Sequence, residues 1–314
     1  MAPALETAVL TVAAVRRPKG ARPTEYLFAE RQQIFTLPST AKSAASARRL
    51  SQAVGSPGKV KVVLDPRRGV IRKIEPTPPE EARAARQLTP RLEQPAKPVP
   101  IDVGAIDPTI FNVVDHHLKF PAFLLCTRIV PGYMKAKEIF DYCAAQSCHL
   151  PGPHPVSPCI PFQYVRDGCY ARAHKMRWII ETKYGYCCEK VFSFANQNAD
   201  RLAVKADKWG GCCVTWWYHV APLIRVRVKL GRLSIVLALV VDPGMFDKPV
   251  LLSSWLSAQK NTGCDANANV SMYSIQPGSA YSPGNYAGTA FTTDPSYTAT
   301  DATLTSYSSL TTCP

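Results

Sequence analysis

All eleven cysteines of this 314-residue chain lie after residue 125, at positions 126, 143, 148, 159, 169, 187, 188, 212, 213, 264 and 313. Cysteine density of this kind belongs to an oxidising compartment, where disulfides tie a fold together, so the C-terminal two thirds are expected to be cross-linked and secreted or otherwise extracytoplasmic. The first 125 residues must fold without that help. An odd total leaves at least one thiol unpaired within the chain, as a cysteine nucleophile requires. Zinc does not account for the pattern: neither Cys143-x4-Cys148-His149 nor the adjacent pairs 187/188 and 212/213 repeats a ligand pair at zinc-finger spacing. No metal ligands are assigned.

Charge is as lopsided as cysteine. The net charge is +14, but residues 1 to 100 carry 18 basic and 8 acidic side chains while the remainder carries 19 and 15. The basic excess lies in the N-terminal third, where no aromatic RNA-binding strand, zinc finger or basic zipper accompanies it, so nucleic acid is not an expected partner. A membrane span is excluded too, because the longest apolar run, Ile235 to Val241, falls far short of the roughly 18–20 residues a bilayer demands. At the start, Ala8 to Val15 has Glu6 before it and Arg16-Arg17 after it, the reverse of secretory-signal order, so export is expected by a route this segment does not declare.

Three zones follow from composition. Residues 1–75 read as a small basic α+β domain: Glu25 to Leu37 is strand-like, Ser39 to Val54 is an Ala-rich helix, and Lys59 to Ile74 alternates around Asp65-Pro66-Arg67-Arg68-Gly69 as a hairpin. Residues 76–100 contain seven prolines among charges and read as a stiff linker. Residues 101–314 form a Cys-rich domain whose tail, free of Lys and Arg after Lys260 and rich in Ser, Thr and Tyr, is expected to wrap the surface or stay mobile.

Two segments carry chemistry. In Asp167-Gly168-Cys169-Tyr170-Ala171-Arg172-Ala173-His174, a Gly turn precedes good helix formers, so Cys169 falls at a helix N-terminus, where unpaired N–H groups stabilise a thiolate or an oxyanion. A disulfide cysteine beside a Gly turn is the competing reading. His174 lies five residues along the same helix, about 500°, and points some 140° away, so it is read as a packing histidine. His116, His117, His149 and His154 are read as loop or surface histidines.

Cys212 to Asp242 reads as a β-hairpin. With Leu230-Gly231 as a two-residue loop, Ile224 faces Leu237, Val226 faces Ile235 and Val228 faces Leu233 on an apolar face, and His219 faces Asp242 on the other. Trp217 shares the parity of His219 and is a candidate wall for the substrate cleft. Cysteine on a helix start, then His, then Asp on neighbouring strands, is the order of papain-like and transglutaminase-like acyl-transfer sites.

The stretch Cys148 to Cys264 resembles bacterial protein-glutaminases through Ser147-Cys148, Ser157-Pro158-Cys159-Ile160, Asp167 to Arg177, Tyr186, Cys188-Glu189-Lys190, Cys212-Cys213-Val214, Tyr218-His219-Val220-Ala221, Asp242-Pro243 and Asn261-Thr262. The resemblance implies an α+β papain/transglutaminase-like core, with a nucleophile helix packed on an antiparallel sheet, and a triad on Cys169, His219 and Asp242. It implies a monomeric, cofactor-free hydrolase that deamidates exposed glutamine of proteins or peptides. The family-like cysteines 148, 159, 188, 212, 213 and 264 make an even set for three disulfides, with Cys148–Cys159 an attractive pair. Cys126, Cys143, Cys187, Cys313 and the insert Ala199 to Trp209 depart from the pattern. A cysteine peptidase, an amine-accepting transglutaminase and a disulfide-rich binding module are the alternatives. For residues 1–100 the resemblance favours an inhibitory pro-region, against a targeting domain or a basic nucleic-acid arm.

Overall fold

The computed structural model describes residues 5–18, 22–38, 43–55, 58–81, 83, 91–93, 128–196, 199–230 and 233–313. His116, His117, Cys126, the turn residue Gly231 and much of the proline-rich stretch lie outside them.

The N-terminal sheet holds β1 (Glu6–Leu10), β2 (Val12–Arg16), β3 (Glu25–Phe28), β4 (Ile34–Thr36), β5 (Val60–Asp65) and β6 (Val70–Glu75), ordered β1-β5-β6-β4-β3-β2. Helix α1 (Ser43–Ala53) closes one side with Leu50. Alternation makes β5 a strand, since Val60, Val62 and Leu64 are buried beside Phe28, Phe35 and Ile71. The single strand expected over Glu25 to Leu37 is two strands: the chain turns after Phe28, with Arg31 N–H donating to its carbonyl. Residues 29–33 form the loop thus created. β1 and β2, which periodicity did not single out, form the two edges of this sheet.

The second unit is built on an antiparallel sheet ordered β13 (Val250–Leu251), β12 (Leu233–Val240), β11 (Tyr218–Leu230), β8 (Glu189–Phe194) and β14 (Met272–Gln276). Helix α2 (Tyr133–Ala144) and helix α3 (Cys169–Lys183) cover one face, where Met176, Ile179 and Ile180 pack with Val220, Ile224 and Val226. Helix α4 (Leu252–Ala258) covers the other, where Trp255 and Leu256 pack with Ala221, Leu223 and Val240. The mixed α+β class and a helix opened by Cys169 packed on an antiparallel sheet are as the residues and the resemblance implied.

The hairpin register differs from expectation by two residues. Leu230 faces Leu233 and Leu223 faces Val240, so Ile224 meets Leu239, Val226 meets Leu237 and Val228 meets Ile235. An even shift keeps every side chain on its face, which is why the apolar pattern fits either register. Pro222 ends the ladder: its carbonyl accepts from Val241 N–H at 2.9 Å, but it has no N–H to return, and the chain peels away at Val241.

The tail is ordered. β15 (Ala280–Pro283) and β16 (Phe291–Thr293) form a small sheet with β7 (Arg91–Glu93), a strand inside the stretch read as linker. Helix α5 (Thr298–Tyr307) packs on α3. Disulfides Cys148–Cys159, Cys212–Cys313 and Cys213–Cys264 fasten this half, and Cys187 is disulfide-bonded as well. Cys313 thus takes the place expected for Cys188, which stays free and buried at the mouth of β8, its thiol aimed at the carbonyl of Glu189. Closing a loop of about 100 residues, as Cys212–Cys313 does, stabilises by ~4–5 kcal/mol in the chain-entropy account.

His174 is a buried structural histidine. Its Nδ1 accepts from Lys190 Nζ at 2.6 Å and its Nε2 donates to the Asp294 carbonyl at 3.1 Å. Burial first, then the Lys190 and Arg177 charges, hold its pKa down to about 2. The unfolded chain takes up this proton near pH 6.5 while the native one does not, so stability falls as pH drops below about 6.5, by at most ~1.4 kcal/mol per pH unit. Urea midpoints measured at pH 7 and pH 5 should fall less in a His174→Gln variant than in the wild type.

Candidate active site

Cys169 opens α3, and Gly168 before it takes φ 81° with no side-chain cap. No other residue fits there, because a Cβ would sit 2.9 Å from the Tyr307 ring as well as in a left-handed backbone. The turns before it, where the sequence reads as strand, are braced by the tail: Thr312 accepts from Val165 N–H at 2.9 Å, and Tyr307 donates to Asp167 Oδ2 at 2.8 Å.

Asp242 and His219 meet at 2.8 Å, between Asp242 Oδ2 and His219 Nε2. They are not cross-strand partners, as the expected register had it. The chain leaves β12 beyond Pro222 and turns, Met245 and Phe246 N–H donating to the Asp242 carbonyl, and this turn carries the carboxylate to the ring. The insert after Ala199 clamps that turn, since Trp209 Nε1 donates to the Gly244 carbonyl at 2.8 Å and Lys208 Nζ to the Pro243 carbonyl at 3.0 Å. Trp255 Nε1 also donates to Asp242 Oδ2 at 2.9 Å. Against its burial, the facing His219 ring and the hydrogen bonds from that ring and Trp255 hold the Asp242 pKa below the ordinary carboxylate value.

The imidazole is sandwiched between Trp216 and Trp255, with ring centroids 4.6 and 5.3 Å away. Trp217 was the residue expected on this face. β10 (Cys213–Trp216), paired with β9 (Leu202–Lys205), is broken from β11 at Trp217, which changes the alternation and puts Trp216 on the ring instead. Among the described residues His219 Nδ1, which is buried, has no hydrogen-bond partner, so with Nε2–H donated to Asp242 it is the ring nitrogen free to take a proton. The Cys169 thiol lies against the backbone N–H of Val220, the next residue along, rather than in a hydrogen bond to Nδ1. Burial pushes that thiol well above its ordinary pKa, and Asp167 and Asp242 add to the effect against Arg172. In this closed arrangement burial therefore opposes the thiolate that the helix start favours.

What closes it is the loop at 29–33. Cys169 N–H donates to Gln32 Oε1 at 2.8 Å, while Gln32 Nε2 donates to the Val165 carbonyl at 3.1 Å. Gln32 N–H donates to Asp167 Oδ1 at 3.0 Å, and its carbonyl accepts from Trp217 N–H at 3.1 Å. Trp217 Nε1 reaches the Arg31 carbonyl at 2.6 Å, and Arg31 pairs with Asp167 Oδ2 at 2.9 Å. Gln32 is fully buried. Sequence reasoning missed Gln32, Val165, Asp167, Trp216 and Trp255. Of these, only Asp167, two residues before the cysteine, carried a local signal. Among the described residues no three His, Cys, Asp or Glu side chains gather as metal ligands.

Comparison with known proteins identifies the setting. The model of a family described as glutaminase matches residues 136–259. A crystal structure of pro-protein-glutaminase superposes with TM-score 0.70 at 28% identity, over 98% of this chain and 95% of that one. A crystal structure of protein-glutaminase gives TM-score 0.51 at 34% identity, and the NMR structure of protein-glutaminase from Chryseobacterium proteolyticum 0.50 at 36%, each over 59% of this chain and 91% of the other. The chain belongs to the protein-glutaminase family. It is thereby an amide-bond hydrolase by family, and its match to the pro form extends well beyond its match to the other two structures. A comparison with curated protein sequences found no match.

The Gln32 loop makes Cys169 inaccessible. A thiol reagent should leave Cys143, Cys169 and Cys188 unlabelled in the intact protein. Replacing Arg31 and Gln32 together by Ala should raise labelling of Cys169 alone by at least about tenfold, the equivalent of one or two lost hydrogen bonds. Peptide mass mapping reads the site of labelling.

Proposed function

We propose that this protein hydrolyses the side-chain amide of glutamine within protein chains, giving glutamate and ammonia, and that residues 1–75 are an inhibitory pro-region. The observation that carries the reading is the hold on Gln32: a glutamine carboxamide lies with its oxygen on the N–H of the candidate nucleophile, and its nitrogen on a carbonyl. Asparagine, shorter by one methylene, does not span the same distance from a backbone held by Asp167 and Trp217.

In the reaction proposed, His219 Nδ1 removes the thiol proton and Cys169 Sγ attacks the amide carbon, while Cys169 N–H stabilises the oxyanion. His219 returns the proton to departing ammonia and then activates water against the thioester. Asp242 keeps the imidazole oriented, and Trp255 keeps Asp242 ionised. Trp217 serves the substrate backbone through both of its N–H groups. The flanking contacts, from Trp217 Nε1 to the preceding carbonyl and between Trp216 and Gln33, favour glutamine inside a chain over the free amino acid. Arg31 against Asp167 favours a basic residue before the glutamine. The disulfides fit an extracytoplasmic enzyme.

Ammonia release from a glutamine-containing protein, without new peptide ends or incorporated amine, tests the reaction against peptidase and transglutaminase activity. Cys169→Ser should abolish it, and Asp242→Asn should lower kcat by about 10⁴-fold with the fold intact. Limited proteolysis between about residues 76 and 107 should yield a C-terminal fragment more active than the intact chain. An intact chain as active as the fragment would rule out the inhibitory role.

A further inference from the structure

Gln32 is more than a plug. A pro-segment needs only bulk to fill a cleft, yet this one offers the very functional group the proposed reaction consumes. Oε1 hangs on the backbone N–H of Cys169, so the amide carbon bonded to it lies within one side chain's length of the sulfur. Both ends of the residue's backbone are pinned, by Asp167 and by Trp217 N–H, and the preceding Arg31 is pinned again by ion pairs to Asp167 and Glu6. Fixing a reactant in this way removes the entropic cost of bringing it to the nucleophile. Among the described residues no partner competes for His219 Nδ1.

We propose, resting on the activity inferred above, that Gln32 is a modification site: Cys169 deamidates it within the same chain, leaving a glutamate at position 32. The Sγ–Cδ bond forms as the Cδ–Nε2 bond breaks, and the thiol proton passes through His219 to the leaving ammonia. Solvent water then breaks the thioester, its hydroxyl going to Cδ and its proton back to sulfur. Loss of ammonia removes the hydrogen bond from Nε2 to the Val165 carbonyl, which frees this side of the loop to admit that water. The product has no N–H to offer Val165. A new carboxylate faces that carbonyl, with Asp167 bound to the same residue's backbone, so the conversion loosens the pro-region from the site it covers. A single chemical event inside the intact chain thereby precedes or primes removal of the pro-region.

Fragmentation mass spectrometry of the peptide spanning Arg31 to Gln33 tests this. Freshly produced full-length protein should show the carboxamide-to-carboxylate mass change at Gln32 and not at Gln33, with buried Gln146 and Gln259 unchanged as internal controls. Conversion should be first-order and independent of protein concentration, and absent in Cys169→Ser. Gln32 remaining a carboxamide on long incubation, in protein whose proteolysed fragment does release ammonia from an added protein, would overturn the inference while leaving the proposed function intact. A fragment without that activity would overturn both.

Discussion

Asp167 is a carboxylate almost wholly removed from water, and its burial pushes its pKa up to about 6 despite the groups that favour its charge. An ionised group so placed costs several kcal/mol unless partners replace its hydration. Two distant parts of the chain supply those partners, Arg31 and the Gln32 N–H from the N-terminal unit and the Tyr307 hydroxyl from the tail, and the neighbouring Gly168 N–H adds a local one. Satisfying this one carboxylate positions the loop over Cys169, the turn before α3 and the helix that backs it. The same logic operates at another contact between the units, where buried Glu25 takes Arg16 and Arg201, and Arg16 also donates to the carbonyls of Ala195 and Asp200.

The site behind that loop is assembled by terminations rather than by regular structure. α3 begins where Gly168 turns, the β11–β12 ladder stops where Pro222 lacks an N–H, and β10 passes to β11 through an irregular residue at Trp217. Each interruption re-aims one functional group: the Cys169 N–H, the Asp242 carboxylate and the Trp216 ring. Burial then sets the chemistry. With the loop in place desolvation raises the thiol pKa, so the side chains that fill the cleft also change the dielectric around the sulfur.

The α+β class, the helix start at Cys169, the apolar face of the hairpin, the Cys148–Cys159 pair and the basic α+β unit at the N-terminus were legible in the sequence. These rest on local rules: side-chain periodicity, glycine before a helix, short loops between cysteines. Parity set His219 opposite Asp242, but β12 ends at Val240, and it is the turn at Asp242 rather than the ladder that brings the carboxylate to the ring. What the sequence did not determine depended on which distant segments meet. Gln32 lies in a stretch that reads as strand, and nothing near it marks a loop that inserts a side chain 137 positions away, onto Cys169. Cys313 displaced Cys188 because the tail packs under β10 while Cys188 turns into the core. Local sequence sets the elements and the faces they present, whereas the compensation of buried charge between remote segments set the contacts, and only the tertiary structure decides which segments those are.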